Sequence, residues 1–318
     1  MADQNEAPVV LHSVDLSNPD IRESAAILKQ ACMDTGIFYV INHGISEELM
    51  AEVFAQSKKF FALPLEEKMK NMVTKSRGYK VINKLYDQET KQQAHGEGFA
   101  LIEEAPDANN DHRPLRGPNV WPSAELLPGW KETVVKYQKE VLKVASAVSR
   151  IIAIALDLNE DFFDQPQFLG NAIPYLSLIH YEVEGAQPLK ECLLGTPPHT
   201  DPSLITLLAT DEVPGLQICR DLEGKPRVWK DVAPLEGAFI VNIGDILERM
   251  SNCIFRSTFH RVQYRKDRYT VAFFVYPSLE GTIECIPSCV SAENPPKYPP
   301  IKNEELLGTI FKTEVAAA

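Results

Sequence analysis

Pairs of cysteines at metal-binding or redox spacing are absent from this chain. Its six cysteines, at positions 32, 192, 219, 253, 285 and 289, form no Cys-x-x-Cys pair and no zinc-ribbon pattern. They are best interpreted as reduced thiols, as in proteins of the cytosol. The acidic start of the chain also lacks the basic and apolar regions of a signal peptide, and its end lacks a targeting signal. We therefore expect a cytoplasmic protein.

Positive charge and long apolar segments are also scarce. The 32 basic residues stand against 44 acidic ones, a net charge of −12, which argues against nucleic acid or an anionic membrane as the main partner. No apolar run approaches the ~18 residues of a membrane helix. The 318 residues, 44% of them hydrophobic, have the composition of a globular protein with one large or two smaller domains. We expect a monomer with a small-molecule partner.

Histidine is rare too, with seven in the chain. From 44 acidic residues in 318, about one histidine is expected to have Asp or Glu two places on, but three do. The three pairs are His95/Glu97, His180/Glu182 and His199/Asp201. The first lies in a polar stretch that predicts a solvated loop, and the second ends a strand, where a histidine at the rim is the simpler interpretation. The third pair follows two prolines and leads into an apolar strand.

The third pair could bind a metal ion together with His260. In an extended segment residues i and i+2 project to the same side, so His199 and Asp201 can face one ion. His260 lies in another β-like stretch and could instead be a core histidine. Two imidazoles and one carboxylate hold a ferrous ion on one face and leave its other positions open. A zinc hydrolase is also compatible with these ligands.

The segment 268–276 predicts a strand with two different faces. One face carries residues 268, 270, 272, 274 and 276, which are Arg, Thr, Ala, Phe and Tyr, and the other is hydrophobic. An inward unpaired arginine is costly, so Arg268 with Thr270 predicts a carboxylate site, unless a nearby acidic residue pairs with it. The large side chains that could line an apolar substrate pocket, or else belong to the core, are Phe99, Leu101, Phe274 and Tyr276.

Hydrophobic periodicity divides the chain into two parts. The N-terminal part predicts strands at 9–16 and 36–44, helices that begin after Asn18 and Ser46, an extended piece at 98–103, and a long amphipathic helix over 129–156. Short β-rich stretches follow at 175–182, 204–209, 215–220, 226–229, 238–243, 254–264 and 268–276. This spacing favours a barrel or jelly roll over a parallel sheet.

Several ordered motifs together resemble those of the plant-type 2-oxoglutarate- and iron(II)-dependent oxygenases, over nearly the whole chain. They are the segment 34–45 (DTGIFYVINHGI), His199-Thr200-Asp201, Leu216-Gln217-Ile218, the segment 241–245 (VNIGD), His260-Arg261-Val262 and Arg268-Tyr269-Thr270. The resemblance implies an α+β protein with a mainly β core, a double-stranded β-helix (jelly roll) on which a helical N-terminal half packs. The expected regions are 1–170, the jelly-roll core 171–280, and a C-terminal segment 281–318 that could form a lid.

The resemblance also implies the roles of the site residues. His199, Asp201 and His260 would bind Fe(II), and Arg268 with Thr270 would hold the distal carboxylate of 2-oxoglutarate. Tyr181 matches the tyrosine of the family's Asn-x-Tyr, which gives the co-substrate a further hydrogen bond. Ile179 stands where that motif has asparagine, which removes one polar contact.

Two other departures are Thr270 and Cys253, of which the second bears more on structure than on chemistry. Thr270 replaces the serine of Arg-x-Ser but keeps the hydroxyl. Cys253 replaces a glycine, so a turn that needs positive φ would be strained there.

The implied function is oxidation of a small organic metabolite by hydroxylation, demethylation, desaturation or ring closure. O2 and 2-oxoglutarate would be consumed, succinate and CO2 released, and ascorbate would act as reductant. One alternative is a ferrous oxidase of the same fold that takes its electrons from elsewhere, which Ile179 favours. Another is a jelly-roll binding module without catalytic activity. Oxygen uptake with ascorbate but without 2-oxoglutarate would indicate the oxidase.

Overall fold

The computed structural model describes residues 8–317 except 73–76, 84, 104–112, 114, 184, 186–187, 222–223 and 225, and it describes only the backbone of 312–317. The helices of the described residues are α1 (Ile21–Asp34), α2 (Glu47–Phe61), α3 (Leu65–Met69), α4 (Trp130–Ala155), α5 (Asp245–Met250) and α6 (Asn303–Ala317). None of them is both long enough and apolar enough to cross a membrane.

The strands form two sheets that face each other and one small ribbon. The N-terminal strands are β1 (Ser13–Asp15), β2 (Ile37–Ile41), β3 (Gly78–Val81) and β4 (Glu97–Ile102). The later strands are β5 (Ile173–Tyr181), β6 (Leu193–His199), β7 (Ile205–Thr210), β8 (Leu216–Cys219), β9 (Lys230–Asp231), β10 (Phe239–Ile243), β11 (Phe259–Tyr264), β12 (Arg268–Tyr276), β13 (Thr282–Ile283) and β14 (Ile301–Lys302). The major sheet has the order β1-β2-β10-β7-β12-β5-β4-β3, the minor sheet β6-β11-β8-β9, and β13 pairs with β14.

The two sheets enclose an apolar layer, and the helices cover the other side of the major sheet. Tyr39 and Ile240 of the major sheet pack with Leu216 and Ile218 of the minor sheet. On the helical side, Phe99 of β4 belongs to the core cluster that also contains α4. The result is a mainly β, jelly-roll core with helices packed on one face, the fold class predicted from the sequence. Strands from residues 13–102 flank those from 173–276 in the major sheet, so both expected regions share it.

Most elements lie where periodicity predicts them. The long helix α4 and the strand β12 match their predicted bounds within one residue, and Ser46 caps α2. The predicted cap Asn18 is wrong, because the carboxylate of Asp20 accepts the N–H groups of Arg22 and Glu23 and begins α1. Residues 226–229 are not a strand, and β11 begins at 259 rather than 254.

Two elements near the candidate site were not predicted. The strand β6 contains Pro197 and Pro198, which usually argue against a strand, but β6 lies at the edge of the minor sheet, where a missing N–H is tolerated. The short helix α5 directly follows β10.

Candidate iron and co-substrate site

The three candidate metal ligands converge at one end of the minor sheet. His199 ends β6 and lies directly opposite His260 of β11 in an antiparallel pair, and Asp201 follows two residues after His199. One ligand atom from each of the three lies within 4.8 Å of the others. Oδ1 of Asp201 is 3.4 Å from Nε2 of His199 and 3.7 Å from Nε2 of His260. The sequence motif and a distant histidine therefore meet as one set of potential ligands.

Backbone carbonyl groups orient both imidazoles. Nδ1 of His199 lies 2.8 Å from the carbonyl oxygen of Pro197, and Nδ1 of His260 lies 2.8 Å from that of Thr258. Since a carbonyl oxygen can only accept, each Nδ1 carries a proton and each ring turns its Nε2 toward Asp201. Burial opposes the charged form of His199, but Asp201 outweighs it and raises the pKa of His199. Burial, and then the proximity of His199, lower the pKa of His260 to about 4. A neutral imidazole of this kind is a metal donor at neutral pH.

Two polar side chains of the major sheet hold the carboxylate of Asp201. Its Oδ2 accepts hydrogen bonds from Thr206 Oγ1 at 2.7 Å and from Asn242 Nδ2 at 2.9 Å, which leaves Oδ1 for the ion. Burial opposes ionisation, but the imidazoles and the Thr206 hydroxyl outweigh it, so the pKa of Asp201 lies well below its usual range. Sequence reasoning missed both supports, although a polar side chain in the apolar strand Phe239–Ile243 was a signal for Asn242.

Arg268 and Thr270 form a second polar group at the start of β12. The guanidinium is 1% exposed, donates from Nε to the carbonyl oxygen of Val213 at 3.0 Å and from Nη2 to Thr210 Oγ1 at 3.1 Å, and lies 5.4 Å from the ring centre of Tyr181. Its Nη1 and the Oγ1 of Thr270 are buried and have no partner in the part of the chain that the structure describes.

Among the described residues, no carboxylate pairs with this guanidinium. The nearby Asp211 instead accepts the backbone N–H of Tyr269 at 2.7 Å. A buried guanidinium nitrogen and a hydroxyl with unused donors suit the carboxylate of a bound molecule. The hydroxyl of Tyr181 lies close by but is shared with Thr196 Oγ1 at 2.9 Å.

Cross-strand pairing arranges the inner face of the major sheet, the face toward the minor sheet, in three rows. The clamp row is Ile179, Thr270 and Thr210; the middle row is Ala100, Ser177, Ala272 and Leu208; the triad row is Ile102, Tyr175, Phe274, Thr206 and Asn242. Because Thr206 and Asn242 bind Asp201, the triad row borders the candidate ion site. The Arg268 side chain lies beyond the clamp row.

Two of the four predicted pocket residues are wrong. Phe99 pairs with Leu178 and Leu101 with Leu176, so both side chains lie on the outer, helix-facing side of the sheet. Phe99 packs with ring centres 4.8 Å from Phe60 and 5.0 Å from Trp130. The strand β4 is buried on both faces, so hydrophobic alternation could not indicate which face meets the minor sheet; the inner positions are the small Ala100 and Ile102.

The other two predicted pocket residues lie on the inner face. Phe274 belongs to the triad row, is partly exposed and contacts Tyr175, with 5.7 Å between ring centres. Tyr276 follows one step further and contacts Phe311 of α6 at 6.0 Å. These rings form an apolar surface next to the candidate ion site.

The remaining sequence expectations have mixed outcomes. Cys253 has φ +62°, so the expected left-handed turn is present and carries a side chain. Ile179 packs with Ile82, Ala94 and Leu194. The rim position predicted for His180 is wrong, because its ring is 6% exposed and lies on the outer face of β5.

The class of protein follows from comparison with family models. Residues 11–124 match the model described as "non-haem dioxygenase in morphine synthesis N-terminal", and residues 175–277 match the 2OG-Fe(II) oxygenase superfamily. Together they cover more than half of the chain and include every candidate ligand. The chain belongs to the 2OG-Fe(II) oxygenase superfamily and is a 2-oxoglutarate-dependent dioxygenase.

Curated relatives and solved structures agree with this assignment. The chain is 51% identical to kihadalactone A synthase LFS of Citrus sinensis over 313 residues, which is 97% of this chain and 93% of that protein. It is 51% identical to azadirone synthase LFS of Melia azedarach over 305 residues, 95% and 92% of the two chains. A full-length Neurospora crassa protein, solved in complex with α-ketoglutarate, is 27% identical with a TM-score of 0.80, covering 97% of this chain and 98% of that one. Small metabolites are thus the substrates of this class, and Fe(II) and 2-oxoglutarate its cofactors.

Proposed function

We propose that His199, Asp201 and His260 bind the catalytic Fe(II) through the two Nε2 atoms and Oδ1. The observation that carries this assignment is the convergence of two imidazoles, each fixed by a carbonyl, upon a carboxylate whose other oxygen is already bonded. Two imidazoles and one carboxylate are the donor set that suits non-haem Fe(II) and leaves three positions open. Those positions would be available to the co-substrate and dioxygen.

Arg268 and Thr270 are assigned to the distal carboxylate of 2-oxoglutarate. The unused Nη1 and Oγ1 provide two donors, and the contacts of the guanidinium to Val213 and Thr210 hold it in one orientation. A buried arginine with an unused donor becomes more stable when an anion arrives, so the site favours a carboxylate over a neutral group. The ring of Tyr181 packs against the guanidinium, and the Tyr181 hydroxyl lies in the same region.

The substrate is proposed to be a small metabolite related to those from which kihadalactone A synthase and azadirone synthase make their products. Half of the residues are shared with each of these proteins over nearly the whole chain. The aromatic surface of Tyr175, Phe274 and Tyr276 beside the ion site is suited to an apolar skeleton. The contact of Phe311 with Tyr276 supports the expectation that the segment 281–318 closes the pocket as a lid.

The protein's own groups position the reactants and exclude water. Thr206 and Asn242 hold one oxygen of Asp201 and would leave the other free for the ion, and Arg268 would hold the far carboxylate of the co-substrate. When bound, the ferrous ion supplies the oxygen chemistry that couples decarboxylation of 2-oxoglutarate, to succinate and CO2, with oxidation of a substrate C–H bond. Ascorbate would keep the ion reduced.

One experiment tests the function as a whole. The purified protein is incubated with Fe(II), 2-oxoglutarate, ascorbate and the immediate precursors of kihadalactone A and azadirone, and products are followed by mass spectrometry. We expect succinate and one oxidised product in equal amounts, and neither without 2-oxoglutarate. Oxidation that proceeds equally without 2-oxoglutarate would contradict the proposal. A metabolite extract in place of the two precursors would identify a different substrate.

The protein is proposed to act as a monomer in the cytoplasm. Light scattering on a size-exclusion column measures the mass against 35.6 kDa, and fractionation of cells that express the tagged protein tests the location.

A further inference from the structure

Ser177 carries a third buried polar atom without a partner on the inner face of the major sheet. The residue lies in β5 and is 2% exposed, and its Oγ makes no hydrogen bond with any described residue. An unpaired buried hydroxyl is costly, so most such groups have a partner in the functional state of the protein. Arg268 Nη1 and Thr270 Oγ1, on the same strand pair, are also buried without a partner among the described residues.

The alternation of β5 directs Ser177 toward the minor sheet. Tyr181, four residues on, reaches Thr196 of β6, which shows that odd positions of β5 face inward. The even position 180 faces outward, since His180 bonds Glu97 on the helical side. The Ser177 hydroxyl therefore lies in the space between the two sheets and not in the helical core.

Along the strands, Ser177 lies between the candidate ion site and Arg268. Ser177 belongs to the middle row, with the clamp row on one side and the triad row on the other. The clamp row and the triad row are four residues apart along β12, about 13 Å at the rise of a strand. A dicarboxylate held at one end by the ion and at the other by Arg268 must cross the middle row.

The middle row offers that molecule one polar side chain. Ala100, Ala272 and Leu208 are apolar, and the two alanines flank Ser177 on either side. In the clamp row, Ile179 packs with Ile82 and Ala94, so the position where the family motif has an amide is apolar in this chain. Ser177 is the next residue of β5 on the same face.

We propose that the Ser177 hydroxyl donates a hydrogen bond to a carboxylate oxygen of 2-oxoglutarate and supplies the polar contact that Ile179 lacks. This inference rests on the proposed co-substrate site. Ser177 acts on the position of the co-substrate and takes no part in the oxidation itself. Its two neighbours in the row, Ala100 and Ala272, each carry only a methyl group.

The test measures binding, not turnover. The protein is loaded with Mn(II), which fills the ion site without oxygen chemistry, and is titrated with 2-oxoglutarate by calorimetry. For Ser177→Ala we expect the Kd for 2-oxoglutarate to rise roughly tenfold, the typical effect of losing a hydrogen bond to a charged group. The melting temperature without 2-oxoglutarate should stay the same or rise, because an unpaired buried hydroxyl is removed. The increase in melting temperature on adding 2-oxoglutarate should shrink.

Ser149 provides a matched control. It is 0% exposed, its hydroxyl also has no partner among the described residues, and it lies in α4 on the helical side. Ser149→Ala should leave the Kd for 2-oxoglutarate unchanged. An unchanged Kd for 2-oxoglutarate in Ser177→Ala, with the same change in melting temperature as in Ser149→Ala, would assign Ser177 a purely structural role and overturn the inference.

Two further outcomes separate this inference from the function on which it rests. If Ser177→Ala binds 2-oxoglutarate normally but has a higher KM for the metabolite, the hydroxyl contacts the metabolite and the inference is wrong. Arg268→Ala is measured in the same titration. If it also binds 2-oxoglutarate like the unaltered protein, the co-substrate site itself is misplaced; if it loses binding while Ser177→Ala does not, only the inference fails.

Discussion

The imidazole of His180 stacks on the phenol ring of Tyr269, with ring centres 4.3 Å apart and planes 10° from parallel. This pair lies on the outer face of the major sheet, directly behind the Tyr181 and Arg268 pair. Nδ1 of His180 lies 2.9 Å from a carboxylate oxygen of Glu97, and Nε2 lies 2.9 Å from one of Asp267. The His180 ring thus connects β4, β5 and the turn before β12, at the end of the sheet where Arg268 and Thr270 lie.

This arrangement predicts a pH-dependent stability. Burial opposes the charged imidazole, but the hydrogen bonds to Glu97 and Asp267 outweigh it and raise the pKa of His180. The pKa of His180 in the folded protein exceeds its unfolded value near 6.5, so the charged ring stabilises the fold in full below pH 6.5. This stabilisation is lost as the pH rises through the folded pKa. Burial also opposes ionisation of Glu97, yet His180 and Lys68 outweigh it and lower the pKa of Glu97. The stability that ionised Glu97 contributes is therefore lost as the pH falls through this lowered pKa.

The measurement is urea unfolding at pH 6 and pH 8.5. His180→Phe keeps a flat ring but removes both hydrogen bonds, and we expect about 1–3 kcal/mol less unfolding free energy at pH 6 and a smaller loss at pH 8.5. His12→Phe is the control, since His12 contacts Asp34 at 3.2 Å on the surface, where such pairs contribute little. Equal stability curves for the His180 variant and the unaltered protein would disprove this role.

A second prediction concerns the residues that hold Asp201. Asn242→Ala and Thr206→Val each remove one donor to Oδ2, so the carboxylate can rotate away from the ion. Loss of such a supporting contact typically weakens metal binding 10–100-fold, and we expect that range for each variant. Competition between Mn(II) and a chelator measures it. Thr200→Val is the control, because that hydroxyl bonds Asp245 instead; a similar loss in this variant would point to a general disturbance of the loop.

A third prediction separates charge from geometry at the clamp. Arg268→Lys keeps the positive charge but lacks the planar guanidinium group with its paired donors. The KM for 2-oxoglutarate should therefore rise about tenfold or more. Thr270→Val removes only the hydroxyl and should raise the same KM, whereas Thr270→Ser should retain near-normal values. Succinate release at varied 2-oxoglutarate concentration gives these constants. A Thr270→Val enzyme with unchanged KM would show that its unpaired Oγ1 does not meet the co-substrate.

Local alternation explains what the sequence could predict. Arg268 and Thr270 share a face because successive side chains of a strand alternate, and the charged arginine marks which face has a special role. The paired motif of His199 and Asp201 is equally local. Its meeting with His260 depends on the antiparallel pairing of β6 with β11, which spacing alone does not specify.

The sequence could not predict which face of the sheet a fully buried strand turns toward the helices, or which residues distant in sequence would form contacts. All six residues of β4 are buried, so Phe99 and Leu101 carried no indication of which layer they join. His180 resembled a rim histidine because its partners, Glu97 and Asp267, lie 83 and 87 residues away. The hydroxyl of Ser177 becomes notable only once its neighbours are known to leave it unpaired.

The two faces of the major sheet should respond differently to the same substitution. Phe99→Ala opens a cavity among Phe60 and Trp130 in the helical core, so we expect about 3–5 kcal/mol less unfolding free energy. Phe274 is partly exposed on the inner face, so Phe274→Ala should cost less stability but raise the KM for the metabolite. Urea unfolding and steady-state kinetics on the same preparations compare the two.

The two variants, Phe99→Ala and Phe274→Ala, should also differ in which KM value changes. In Phe99→Ala, the molecules that remain folded keep the inner face intact, so the KM values for metabolite and 2-oxoglutarate should both stay near normal. In Phe274→Ala the KM for the metabolite should rise while that for 2-oxoglutarate stays unchanged, because the clamp lies two rows away. A changed metabolite KM in Phe99→Ala with a normal value in Phe274→Ala would reverse the assignment of the two faces, and with it the proposed position of the substrate pocket.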